Sequence, residues 1–327
     1  MMTNLPLGFN DPKVGLSTLH ENHEWFTNIC RHCPGNLFRD KKLQPAWQNW
    51  LARHPDRWFR QELACNPSLL PDNIALLARD DNANIRSSIA RNQSTSSELL
   101  QHLATDPSRS VRLNVAYHSN APTAALIHLA TDHDWAVRSS VVRNLNTSAE
   151  VLINLANDAD ERVRRAVAEH PNIPSEILIQ LFNDSSKLVR RVAAQHPKVP
   201  LDLLEELANS PDYFLRSGVA RNPGTSAELL VQLSDEEDIG ILNDVAKHPN
   251  TPIEVLVCLA SCSYEYDTVH FHIARNRNTP SDILAKLAHH HSRDVVYEVS
   301  HNPNASKDTK EVAFENYKNH LPPYPIT

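Results

Sequence analysis

An arginine returns every 26 residues through the middle of the chain, at Arg60, Arg86, Arg112, Arg138, Arg164, Arg190 and Arg216. Asp80, Asp106, Asp132, Asp158 and Asp184 keep the same step. So does an Asn/His series: Asn66, Asn92, His118, Asn144, His170, His196, Asn222 and His248, resuming at Asn276 and Asn302 after a slip of two residues. A fixed period of this length marks stacked units, none of which buries its apolar face alone. Such an array presents a binding surface more readily than a catalytic pocket.

One repeat, residues 137–162, shows the expected unit. Val137 and Val141 share one face of a short helix. Asn144 is expected to close that helix in the left-handed conformation that asparagine tolerates. Thr147 with Glu150 reads as a capping box opening a second helix. The box returns at Thr95/Glu98, Thr225/Glu228, Thr251/Glu254 and Thr279/Asp282, with Pro252 and Pro280 expected at the first helical position. Val151, Leu152, Leu155 and Ala156 supply the second helix's apolar stripe. Six glycines against 22 prolines suit helices joined by proline turns, and not a barrel or sandwich.

Ten such units run from Leu63-Ala64 to Val299-Ser300. The eighth departs: Leu242 replaces its arginine, an acidic stretch at 234–240 precedes it, and the two-residue slip falls near Cys262 to Asp267. The expected organisation is an N-terminal helical cap at 1–56, a solenoid at 57–304, and a C-terminal cap with a proline-rich tail at 305–327.

The pattern Val-Arg-x-x-Val-Ala-x-Asn-Pro-x-Thr-Pro-x-Glu-Leu-Leu-x-x-Leu-Ala, clearest in 163–182 and 215–234, resembles the leucine-rich-repeat variant family, a relative in architecture of HEAT repeats. The resemblance implies an all-α, right-handed superhelical solenoid of two-helix repeats, the second helix α or 3₁₀. Some members of that family carry an N-terminal four-cysteine domain with a [4Fe–4S] cluster, and Cys30-x-x-Cys33-Pro34 is similar to its first cysteine pair. The second pair is missing. A metal or cluster would need Cys30 and Cys33 with Cys65 and a histidine, His32 or His54, to reach four ligands. The alternative is a metal-free cap packed around Trp25, Trp47, Trp50 and Trp58.

The arginine and aspartate ladders are expected to be structural, each arginine fork taking a carboxylate and loop carbonyls at a repeat junction. Function is sought in positions that vary between copies. The outward face of the first helices supplies Arg91, Arg143, Arg165, Arg191, Arg221, Lys247 and Arg275, with Tyr117, Phe271 and Tyr297 interleaved and Glu62, Glu169, Asp244 and Glu298 opposing. On a chain of net charge −7 and pI about 6.2 this is a local reversal of sign. His289-His290-His291 is expected to be solvated surface.

No P-loop, G-x-S-x-G or H-E-x-x-H motif occurs. The N-terminal residues lack a signal-peptide pattern and no apolar run reaches membrane-spanning length, so a cytoplasmic protein is expected. These features suggest a non-enzymatic scaffold with a protein partner. A nucleic-acid-binding solenoid and a zinc- or iron–sulfur-containing regulator are the alternatives.

Overall fold

The computed structural model describes Leu43, residues 45–261 and residues 267–319. Over these residues the chain is an all-α solenoid of 21 helices without a strand, and none of the helices is long and apolar enough to cross a membrane. It divides into two compact units, Met1–Asn172 and Ile173–Thr327. After α1 (Pro45–Leu51), the first unit stacks α2 (Arg57–Ala64), α4 (Ala83–Arg91), α6 (Arg109–Tyr117), α8 (Trp135–Arg143) and α10 (Glu161–Glu169) side by side. The second helices α3 (Pro71–Leu77), α5 (Ser97–Leu103), α7 (Thr123–Leu129) and α9 (Ala149–Leu155) alternate with them.

The second unit repeats the plan. Its first helices are α12 (Lys187–Ala194), α14 (Tyr213–Arg221), α16 (Ile239–Lys247), α18 (Asp267–Arg275) and α20 (Arg293–His301). Its second helices are α11 (Ser175–Leu181), α13 (Leu201–Ala208), α15 (Ala227–Ser234), α17 (Ile253–Ala260) and α19 (Ser281–Leu287), and α21 (Lys307–Asn319) closes the series. The second helices, α or 3₁₀ by resemblance, are α-helical.

The core is thin and periodic. Val111, Val115 and Ala116 of α6 are fully buried, as are Val163, Val167 and Ala168 of α10. The i, i+4 spacing of these small and β-branched side chains places them on the face between neighbouring helices. Leu126 and Leu129 of α7 fill the gap to the second layer. Each buried leucine adds roughly 1.5–3 kcal/mol against the entropy of ordering a short helix.

Three expectations about the turns need correction. Asn144 is not left-handed but extended, at φ −76° and ψ 120°, and no described residue has a positive φ. Thr147 is not the helix cap. Its buried hydroxyl donates to the Val141 carbonyl at 2.5 Å, as Thr95 does to Ile89 and Thr225 to Val219, while Ser148, one residue later, accepts the Val151 amide. Pro252 and Pro280 are themselves the N-caps, with extended backbones, and the helices begin after them. The threonine therefore secures the end of the first helix rather than the start of the second.

The asparagine is freed for another task. Asn144 Nδ2 donates to the carbonyls of Ala116 and His118 in the preceding repeat, at 2.8 and 3.0 Å, while its Oδ1 accepts the Asn146 amide. Asn222, Asn276 and Asn302 do the same. Histidine substitutes with one of the two carbonyl contacts and the same contact to its own turn. His118 uses Nε2 on the Asn92 carbonyl and Nδ1 to accept the Asn120 amide, and His248 repeats this with Asn222 and Asn250. Each is buried. Because Nδ1 faces an N–H, the proton must sit on Nε2 and the ring must be neutral.

The arginine ladder bridges the same junctions. Arg138 Nη1 donates to the backbone carbonyl of Asp132, six residues before it, at 2.7 Å. Its Nε and Nη2 grip the carboxylate of Asp158, from the next repeat, at 2.6 and 2.8 Å. Arg60–Asp80, Arg86–Asp106 and Arg112–Asp132 have the same geometry. In the second unit Arg190 takes Asp212, and Arg216 takes Glu236. Arg164 reaches the Asp158 carbonyl at 2.7 Å, and Asp184 caps its own turn by accepting the Ser186 amide. Burial pushes the Asp106 carboxyl up, but the Arg86 guanidinium and Ser108 amide outweigh it and hold the group below the usual carboxylate range.

The ends of the chain continue the register. Helix α1 stands one repeat step before α3, and Gln48 ties it down by donating to Ser68 and accepting the Leu70 amide. Trp47 is buried beside Trp50, whose ring meets Phe59, and Trp58 also lies edge-on to Phe59; Trp25 lies outside the described residues. At the other end α21 is longer than the repeat helices and packs Tyr317 under Arg293.

Replacing Arg138 by Ala strands the Asp158 carboxylate and the Asp132 carbonyl, and is expected to destabilise the protein by about 1–3 kcal/mol. A denaturant melt that coincides with wild type rejects the fork's structural role. Burial lowers the His248 pKa below its ordinary value of about 6.5 in the folded protein. Its contribution is therefore complete above about pH 6.5 and is lost as pH falls, because the unfolded chain binds the proton first. His248→Asn is expected to match wild type or exceed it in melting temperature at pH 7.5, and to lose less of that temperature at pH 5.5. An unchanged pH dependence contradicts the neutral-ring assignment.

Candidate partner-binding face

Five of the described first helices end on an arginine or lysine. Arg91, Arg143, Arg221, Lys247 and Arg275 are each the last residue of a helix. A cation there meets the negative end of the helix dipole, a local reason for the residue type that the sequence reading did not consider. Tyr117 ends α6 and is 67% exposed. Arg165 and Arg191 sit four residues before Glu169 and Gln195, so they share a helix face with the terminal position. Within each unit the stripe is thus two adjacent columns on one face.

Part of it is neutralised. Arg165 pairs with Glu169 at 3.5 Å, Arg221 with Asp244 of the next repeat at 2.6 Å, and Arg143 donates to Ser139 Oγ at 2.9 Å. Arg91, Lys247 and Arg275 are exposed and have no ion pair among the described residues. Surface pairs of this kind contribute little to stability, so what remains is a face of moderate positive charge.

A cleft opens in this face in the second unit. A cavity of about 430 Å³ between the ends of α14, α16 and α18 is lined by Gln195, Arg221, Asn243, Asp244, Lys247 and His272. Gly218 brings α14 close to α12 nearby: a Cβ there falls 2.5 Å from both the Ala194 Cβ and the Arg191 carbonyl oxygen. The first unit has a larger cavity, about 540 Å³ between α3 and α5, lined by Ile74, Ala75, Glu98, Leu99 and His102. It lies among second helices, away from the basic columns.

The same second helices carry a feature missed in the sequence. Ile127 and Ile153 in the first unit, and Ile179, Val231 and Val257 in the second, are exposed at 26-residue steps, interrupted by Glu205. The period alone reveals this column once the apolar positions beside the buried stripe are aligned.

The histidine triplet is not all surface. His289 and His291 are exposed, but His290 is buried, with Nε2 at 3.1 Å from His270 Nδ1. These two residues occupy the ladder's arginine and aspartate slots, with the same 20-residue offset, so a neutral pair replaces an ion pair. Asp267 Oδ1 lies 3.7 Å from His290 Nε2 and 3.0 Å from His291 Nε2. The cluster Asp267–His270–His290 has metal-like spacing. Its chemistry does not fit: His290 Nδ1 accepts the Ser292 amide at 3.0 Å, which puts the proton on Nε2 and removes the lone pair a metal needs. Burial, then the neighbouring His270 and His291, push its pKa down to about 4.

Of the thiol set, Cys30, His32 and Cys33 lie outside the described residues. Cys65 is half-buried with Sγ 3.8 Å from Ser88 Oγ. His54 is a poor fourth ligand for the same reason as His290, since its Nδ1 accepts the Asp56 amide at 3.0 Å.

Among solved structures the chain is similar to a leucine-rich repeat variant with a novel repetitive structural motif, at 24% identity and a TM-score of 0.49, covering 67% of this chain and 86% of that one. It is also similar to importin beta, at 12% identity and a TM-score of 0.36, covering 94% of this chain and 49% of the other. No protein-family model and no curated protein matches the sequence.

Gly218→Ala is expected to force α12 and α14 apart and to cost about 1–3 kcal/mol by overpacking. A thermal melt within error of wild type contradicts the close approach.

Proposed function

We propose that this protein is a non-enzymatic scaffold that binds another protein along the outward face of its first helices. The observation that carries the reading is a division of labour. The recurring polar positions are spent inside the stack: arginines on carboxylates and carbonyls, asparagines and histidines on the preceding turn. The positions that vary between copies are the exposed ones, with Arg91, Tyr117, Lys247 and Arg275 open to solvent. A face whose residues differ from repeat to repeat suits a partner whose surface also lacks repetition.

A nucleic-acid backbone is served less well. Arg165 and Arg221 already hold carboxylates, and Asp244 and Glu169 stand within the columns where phosphates must lie.

The test is Arg91, Arg143 and Arg275 changed together to Glu. Circular dichroism is expected to stay helical, while crosslinked capture of the native partner from the host falls about tenfold or more, the range of a lost interfacial charge set. Capture at the wild-type level refutes the face. Sub-micromolar binding of single-stranded DNA by wild type, collapsing with salt, promotes the nucleic-acid alternative.

A further inference from the structure

Two residues that line the cavity between α14, α16 and α18 carry buried polar atoms that the fold leaves unused. Asn243 Oδ1 and His272 Nδ1 are both buried without a hydrogen-bond partner. Buried polar atoms of native proteins are ordinarily satisfied, so two in one cavity call for an explanation. Two cations line the same space. Lys247 has no ion pair among the described residues, and Arg221 commits only Nε to Asp244, leaving its two Nη groups for a ligand.

We propose that this cavity takes the carboxylate of an acidic side chain presented by the protein partner; the inference rests on the binding-face reading above. Lys247 Nζ and the Arg221 Nη groups donate to the carboxylate oxygens. On binding, the His272 and Asn243 side chains turn these buried ends toward the ligand: His272 donates from Nδ1 in the corresponding tautomer, and Asn243, with its amide turned over, donates from Nδ2. Every unused polar atom then has an acceptor. Asp244 stays on Arg221 and holds that guanidinium at the rim.

The electrostatics favour this ligand over its rivals. Burial is the main cause of the lowered His272 pKa; Lys247 and Arg275 add to it and Asp244 opposes them, so two cations and one carboxylate act on this side chain. A ligand ammonium or guanidinium meets Lys247 there. A phosphate dianion brings a second negative charge against Asp244 and the negative ends of α14 and α16, whose last residues line the wall. A single negative charge with two acceptor oxygens matches the donors.

The experiment titrates a fluorescein-labelled decapeptide of alternating Glu and Gly into the full-length protein, with the Gln/Gly peptide and inorganic phosphate as parallel probes. The Glu peptide is expected to bind about tenfold or more tightly than the Gln peptide, and Lys247→Gln to remove that difference. Lys286→Gln on α19 is the control and is expected to change nothing. Equal binding of the two peptides, no binding at any soluble concentration, or full binding by Lys247→Gln overturns the proposal. Phosphate competing as well as the Glu peptide, through the same lysine, overturns it in favour of a small-anion site. Loss of partner capture by the three-arginine variant, alongside a null peptide result, leaves the binding face standing and removes only the cavity's role.

Discussion

Within each unit, repeat junctions depend on a buried side chain, such as Asn92, His118, Asn144, His248, Asn276 or Asn302, that hydrogen-bonds the backbone of the turn before it. Two-turn helices are marginal alone, and a short turn exposes carbonyls that no helix can satisfy. Asn144 closes both gaps at once: its amide group takes two carbonyls of the previous repeat, and its oxygen holds its own turn. The apolar faces supply the attraction between repeats, but it is non-directional. The carboxamide sets which residue meets which.

The arginine forks act on the same junctions from the outer edge, and they are spent unevenly. Carboxylate pairing continues to Arg216 and Glu236. Beyond it Leu242 and then His270 take the arginine's place, and the polar bridge becomes the neutral His270–His290 contact. The asparagine contact does not stop: Asn276 reaches Ala246 and His248 across the two-residue slip, with distances matching those of the regular repeats. The fork is therefore absent at a junction where the carboxamide is kept.

Much of this was legible in the sequence because periodicity reports on packing. The 26-residue step gave the two-helix unit, and the positions of Val137, Val141 and Leu152 gave the buried faces. Turn chemistry was less legible. Thr147 followed by Glu150 satisfies the capping-box spacing, yet the hydroxyl one residue on, at Ser148, is the one that reaches a free amide. Asn144 fits a left-handed C-cap equally well, and only the position of the previous turn shows why it is extended. The arginines' partners were hidden for a related reason. Asp132 is close to Arg138 in sequence, but the carboxylate that meets the guanidinium belongs to Asp158. The candidate face shows the same limit: its columns are readable, whereas the cavity beside Lys247 arises from the approach of three helices.

The latch has an evolutionary corollary. Asn144 and His118 recognise main-chain oxygens, which every residue possesses, and not particular side chains of the neighbouring repeat. A repeat duplicated, deleted or inherited from elsewhere in the gene meets an acceptable neighbour on arrival, with no second mutation required. Length is then free to drift by whole units while the exposed columns diverge under selection for whatever they touch.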